Sequence, residues 1–143
     1  MPHIVSVNIS KEKGEIKTPV KSGALIENHG VEGDAHAGPH HRQVSLLAME
    51  SIERAMAASP VELGPGSFAE NLTTRGIVLH TLPVGTMLSA GECVLRISQI
   101  GKTCHGKCAI FDQAGACIMP TEGVFAEVIK GGRIEAGDLV NIS

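Results

Sequence analysis

Glycine and proline interrupt this chain so regularly that short strands are favoured over helices. Seventeen glycines and seven prolines are spread over 143 residues. The apolar runs between them are short, broken roughly every eight to fifteen residues. Ile4 to Ile9 alternates apolar and polar in part and reads as a first strand. Pro19 to Ile26 is a second extended segment, and Gln43 to Leu47 a short apolar strand. Ile77 to Leu82, Val84 to Leu88 and Cys93 to Ile100 are strand-like as well. Met49, Ile52, Ala55 and Met56 recur at helical spacing, up to a stop at Ser59-Pro60. A second helix is signalled from Thr121, a capping residue, to Lys130 before Gly131-Gly132. Ser67 to Leu72 reads as one helical turn. Ala90-Gly91-Glu92 and Ala136-Gly137-Asp138 each place an Ala-Gly-acid turn before a strand, which predicts two hairpins. The expectation is a mainly β fold: a small closed or partly closed β-barrel with two or three short helices packed on it. No linker or low-complexity stretch divides the chain, so residues 1–143 are expected to form a single domain.

Composition narrows the function. The chain is 43% hydrophobic and 19% charged, which supports a packed core and argues against disorder. Aromatics are only 2%, with no Trp or Tyr, so Val, Ile, Leu, Met and Ala must build that core. The formal net charge is −3. A nucleic-acid surface would show a basic stripe and stacking aromatics, and neither is present. No apolar run approaches the ~20 residues needed to span a bilayer, so no membrane role is expected. The opening Met1-Pro2-His3-Ile4 does not read as a signal peptide. The expected compartment is the cytoplasm, where thiols stay reduced and clustered cysteines point to reactive or metal chemistry before disulfides.

Three of the four cysteines, Cys104, Cys108 and Cys117, fall within fourteen positions. Lys102, His105 and Lys107 flank Cys104, and cationic neighbours lower a thiol's pKa by favouring the thiolate. Three readings stay open. The cysteines can be small buried residues, as Cys93 inside its strand should be. They can join His105 on zinc, although the spacing lacks two well-separated ligand pairs. Or Cys104 can be a thiolate that receives or donates sulfur, with Cys108 and Cys117 either resolving it or merely packing. A second segment, Gly33-Asp34-Ala35-His36-Ala37-Gly38-Pro39-His40-His41-Arg42, offers three His, one Asp and one Arg. His36 with His40 or His41 can bind a metal, Arg42 can fork onto a phosphate or carboxylate, or the loop can simply be solvated. A third, Gly64 to Gly76, carries Glu70, Asn71, Thr73 and Arg75 beside glycines. A capped turn explains it as well as a binding edge does.

Taken in order, these blocks resemble the MOSC domain, named for the C-terminal domain of molybdenum cofactor sulfurases. The likeness rests on Gly33 to Gly38, Arg42 to Leu47, Ala69 to Thr73 and Val84 to Gly91. It continues through Cys104-His105 and Cys117 to Phe125, ending at Gly137-Asp138. One position departs: Ala69 stands where the family usually carries glycine. The resemblance implies a mainly-β barrel. It also implies a cysteine, here Cys104, that accepts sulfur mobilised by a pyridoxal-phosphate cysteine desulfurase or engages the molybdenum cofactor, molybdopterin. His36, Arg42, Glu70 and Asn71 would then line its cleft, with Lys102 and His105 beside the thiol. No attached desulfurase is visible, so pyridoxal phosphate is expected only through a partner. The partners implied are a cysteine desulfurase or a molybdoenzyme, and the pterin cofactor. A non-catalytic cofactor carrier and a zinc-stabilised structural domain are the alternatives.

Overall fold

The computed structural model describes residues 1–12, 16–57, 63–101 and 122–142. Eight strands form one sheet: β1 (His3–Ile9), β2 (Thr18–Val20), β5 (Val44–Ala48), β6 (Leu72–Arg75), β7 (Met87–Ala90), β8 (Cys93–Ile100), β9 (Val124–Lys130) and β11 (Val140–Ile142). Their order is β11-β7-β8-β9-β5-β6-β1-β2. A second sheet holds β3 (Ser22–Ile26), β4 (Gly30–Val31) and β10 (Gly132–Glu135), in the order β10-β3-β4. Helix α1 (Met49–Met56) links the parallel pair β5 and β6.

The mainly β expectation holds, but the closed barrel does not. The large sheet is open. Its β11 end meets β1 only through an isolated bridge, His3 to Leu139, and flanking bonds such as Ile4 N–H to the Asp138 carbonyl at 2.8 Å. A full ladder is blocked because β2 already occupies that side of β1 along Val7 to Ile9. The helix count also falls short of two or three. Among the described residues there is one α-helix, α1, and one 3-10 turn at Leu79–Thr81.

Three local expectations change for physical reasons. The helix expected over residues 121–130 is strand β9 from Val124 onward, paired with both β8 and β5. Val124, Val128 and Ile129 are β-branched, and two-sided pairing in a central strand outweighs capping signals at its ends. The strand expected over Ile77 to Leu82 becomes the 3-10 turn. Leu79 is fully buried there, Ile77 and Leu82 pack against the core from partly buried positions, and Val78 is exposed. The second Ala-Gly-acid turn does not close a hairpin. Gly137 takes φ +96°, but β10 pairs with β3 and β11 with β7, so this turn passes the chain between the sheets. The first, at Gly91 with φ +57°, does join the β7–β8 hairpin.

Strand β5 is buried along its whole length because it faces two cores. Val44 and Leu46 pack with Ile4, Leu72, Leu95 and Ile97. Leu47 packs on the other side with Ile52 of α1, Phe68 and Phe125. The apolar spacing of α1 thus serves this smaller cluster, which uses two of the chain's three phenylalanines. Cys93 lies in the main core as expected, and its thiol is pushed up to about 11, chiefly by burial. Among the described residues, no helix is long and apolar enough to cross a membrane.

Candidate functional site

The polar blocks singled out from the sequence meet inside the protein, and the residue that joins them is one the sequence did not flag. Lys17 precedes β2, in a stretch that reads as a charged turn. Its side chain is fully buried. Its Nζ lies 2.7 Å from Asp34 Oδ1, 3.1 Å from Ser10 Oγ and 2.9 Å from His36 Nδ1. Asp34 is equally buried. It also accepts the Ser10 N–H on Oδ1 and the His36 N–H on Oδ2, both at 3.0 Å. Burial raises the Asp34 carboxyl. The Lys17 bond, the Ser10 N–H, the Lys17 charge and the Asn71 side chain outweigh it, leaving the group below its ordinary range. The sequence Gly33-Asp34-Ala35-His36 is therefore a turn wrapped around a buried ion pair. His36 keeps about a third of its side chain exposed.

Glu70 and Asn71, expected to face a ligand, face the interior instead. Both are fully buried. Glu70 accepts hydrogen bonds from Gly66 N–H at 2.9 Å, Phe68 N–H at 3.2 Å and the Thr73 hydroxyl at 2.6 Å. Burial raises this carboxyl and the three donors draw it back, with the net direction upward. Asn71 ties β5 to β1, accepting the Ser45 N–H at 3.0 Å and donating to the Asn8 carbonyl at 3.2 Å. These two residues position the surrounding loops. The links to Lys17 are direct: Lys17 N–H bonds the Gly66 carbonyl at 3.0 Å, and the Glu70 charge acts on the Lys17 ammonium. Asn8, a polar residue in a strand otherwise read as apolar, carries the same network by donating to Thr73 Oγ1 at 3.0 Å.

Ala69 takes a left-handed φ of +62°, which explains why glycine is usual at this place in the block. Ala69→Gly should therefore raise stability by about 0.5–1 kcal/mol, the Cβ strain relieved exceeding the entropy glycine adds to the unfolded chain. A urea melt should show a higher midpoint at unchanged slope.

Arg42, two residues before β5, reaches the end of β8. Its Nε–H donates to Gln99 Oε1 at 3.1 Å, and its guanidinium lies 5.3 Å from the Phe125 ring centre. His41 Nε2 is 2.7 Å from the same Gln99 oxygen, and the Ser98 hydroxyl donates to the His41 carbonyl. Gln99 Nε2 in turn donates to the Gly101 carbonyl at 2.7 Å, and Gly101 N–H bonds the Gly123 carbonyl at 2.7 Å. The chain thus leaves β8 and enters β9 beside the His41–Arg42 corner. Cys104, Lys102, His105, Cys108 and Cys117 lie outside the described residues. Among the described residues, no three of His, Cys, Asp or Glu converge as a metal set. Gln99 and Phe125 carried no warning in the sequence. Nothing in an amide or a lone aromatic announces an arginine seat 57 and 83 residues away.

An open, mainly β structure with a polar seam between its loops is an architecture seen in other solved proteins. YiiM from Geobacillus stearothermophilus superposes with a TM-score of 0.77 at 21% identity, over 100% of this chain and 75% of that one. The YUAD protein from Bacillus subtilis gives 0.79 at 15%, over 98% and 94%. YiiM from Escherichia coli gives 0.72 at 20%, over 100% and 70%. No curated protein matches. Residues 32–141 match the MOSC domain, and the chain belongs to that family, which is related to molybdenum cofactor sulfurase.

Proposed function

We propose that this protein is a sulfur carrier or transfer protein of molybdenum cofactor metabolism, acting as one cytoplasmic domain, with Cys104 as the sulfur acceptor or cofactor-contacting thiolate. The observation that carries this reading is the corner where Arg42 and His41 are held on Gln99. Gly101 follows two residues later, and Cys104 is three beyond that. Lys102 and His105 supply the cationic setting that favours a thiolate.

The donor chemistry suits molybdopterin. Arg42 keeps N–H donors beyond the one given to Gln99, as a phosphate requires, and His36 stands earlier on the same loop segment. Glu70 and Asn71 support the loops that carry them. When bound, the cofactor would supply molybdenum and sulfur ligands for exchange. In transfer, the Cys104 thiolate attacks the outer sulfur of a partner desulfurase's cysteine persulfide. A new S–S bond forms on Cys104, the partner's S–S bond breaks, and the partner cysteine leaves as thiolate. Pyridoxal phosphate belongs to that partner.

Incubation with a cysteine desulfurase and cysteine should add one sulfur atom mapping to Cys104, read by mass spectrometry of the intact and digested protein. Cys104→Ser should gain none. Co-purified pterin with no sulfur gain would replace this reading with that of a cofactor carrier. Loss of fold on chelation would replace it with a zinc-stabilised domain.

A further inference from the structure

We infer that Gln99 sets the anion affinity of the Arg42 corner: it positions the guanidinium without neutralising it, which leaves the charge uncompensated for an oxyanion such as a phosphate monoester. The inference rests on the reading of Arg42 as a cofactor residue and sharpens it. The chain has five arginines. Four of them pair with a glutamate: Arg54 with Glu122, Arg75 with Glu53, Arg96 with Glu127 and Arg133 with Glu135. The fifth, Arg42, is held instead by a neutral amide, and no carboxylate among the described residues pairs with it. Holding an arginine in place needs an acceptor, and four times this fold uses a charged one. At Arg42 it does not.

The orientation of the Gln99 amide follows from its partners. Its Nε2 lies 2.7 Å from the Gly101 carbonyl, which can only accept, so the nitrogen belongs on that side. The oxygen then faces the corner, where it accepts the Arg42 Nε–H at 3.1 Å and the His41 Nε2–H at 2.7 Å. A carbonyl oxygen has two lone pairs, and both are occupied. The guanidinium is thereby presented in one way. Its Nε–H is taken, and the Phe125 ring centre lies 5.3 Å from its central carbon. Among the described residues no acceptor takes the Nη donors of Arg42. They form the end-on fork that matches two oxygens of a phosphate. A carboxylate in the place of the Gln99 amide would hold the same fork but cancel its charge before a ligand arrived.

Titration of the full-length protein with inorganic phosphate, at an ionic strength held constant with sodium chloride, reads the seat without any cofactor. The ¹⁵N signals of the Arg42 side chain should move and saturate. No movement beyond the chloride control overturns the inference. Gln99→Met and Gln99→Glu then separate shape from charge. Both lose the donor to the Gly101 carbonyl, but only glutamate neutralises Arg42. Gln99→Met should weaken phosphate binding about threefold, through lost positioning, and Gln99→Glu about thirtyfold or more. Equal losses in the two reduce Gln99 to a structural contact and overturn the assignment. Should Gln99→Glu not fold, Gln99→Met decides, and a phosphate affinity equal to wild type overturns the positioning role. The last arm uses molybdopterin itself. If the wild type fails to bind it while phosphate still moves Arg42, the cofactor reading falls and the role of Gln99 stands.

Discussion

Lys17→Met should cost the fold about 3–5 kcal/mol, because it strands the Asp34 carboxylate at a fully buried position. Methionine fills nearly the same volume, so little of this is a cavity effect. The loss is the charge that Asp34 was buried against. Lys17→Met/Asp34→Asn should recover most of it, since a buried ion pair replaced as a unit is often close to neutral. Urea denaturation of the four proteins in the cycle measures the coupling directly; if the double substitution is as unstable as the single, the ion pair is not the cause. The pH dependence has a definite sign. Asp34 is held below its ordinary value in the fold. Its contribution is therefore complete above the unfolded carboxylate pKa of about 3.9 and is lost as pH falls through the lower folded value. Without Lys17 burial pushes the folded value up, so the sign reverses: protonation relieves the stranded carboxylate and the deficit of Lys17→Met should shrink as pH falls.

Gly66→Ala should be about as damaging, near 4 kcal/mol, although it adds one methyl group to a loop. Gly66 sits at φ +89°, and a Cβ built there overlaps the Lys17 carbonyl. The obstacle is backbone, which cannot rotate aside. Gly66 also gives its N–H to Glu70 and its C=O to Lys17 N–H. Relief of the clash must therefore pull apart the two bonds that couple the Glu70 turn to the Lys17 strand. Thermal unfolding should show a large drop in Tm. Gly64→Ala, where a Cβ meets nothing within 4 Å and φ is not in the left-handed region, is the matched control and should change little. Similar losses in both would mean the loop merely dislikes side chains.

The sequence made the strands with local signals legible. β1, β5, β8 and α1 stand where periodicity placed them, because their apolar spacing agrees with the face each one buries. β9 was misread because its termini carry good helix caps and only its non-local partners reveal it as a central strand. The barrel was over-read for a related reason. Alternation marks strands but does not say whether β2 or β11 will take the free side of β1. In the site, Asp34 and His36 were visible as types, and Glu70 and Asn71 as a block. Their burial was not visible, and neither was Lys17, because a lysine beside charged residues looks like a solvated turn until three acceptors close round it.

The isolated bridge at His3 carries a consequence for synthesis. During translation β1 emerges early, yet its partners in β6 come roughly 65 residues later and the segment at Asp138 to Val140 roughly 130 later. Until then β1 can pair only with β2, along Val7 to Ile9, and its remaining backbone amides are left to water. A chain of this design should complete its main sheet late, only once those distant segments are available, and should lean on chaperones until then.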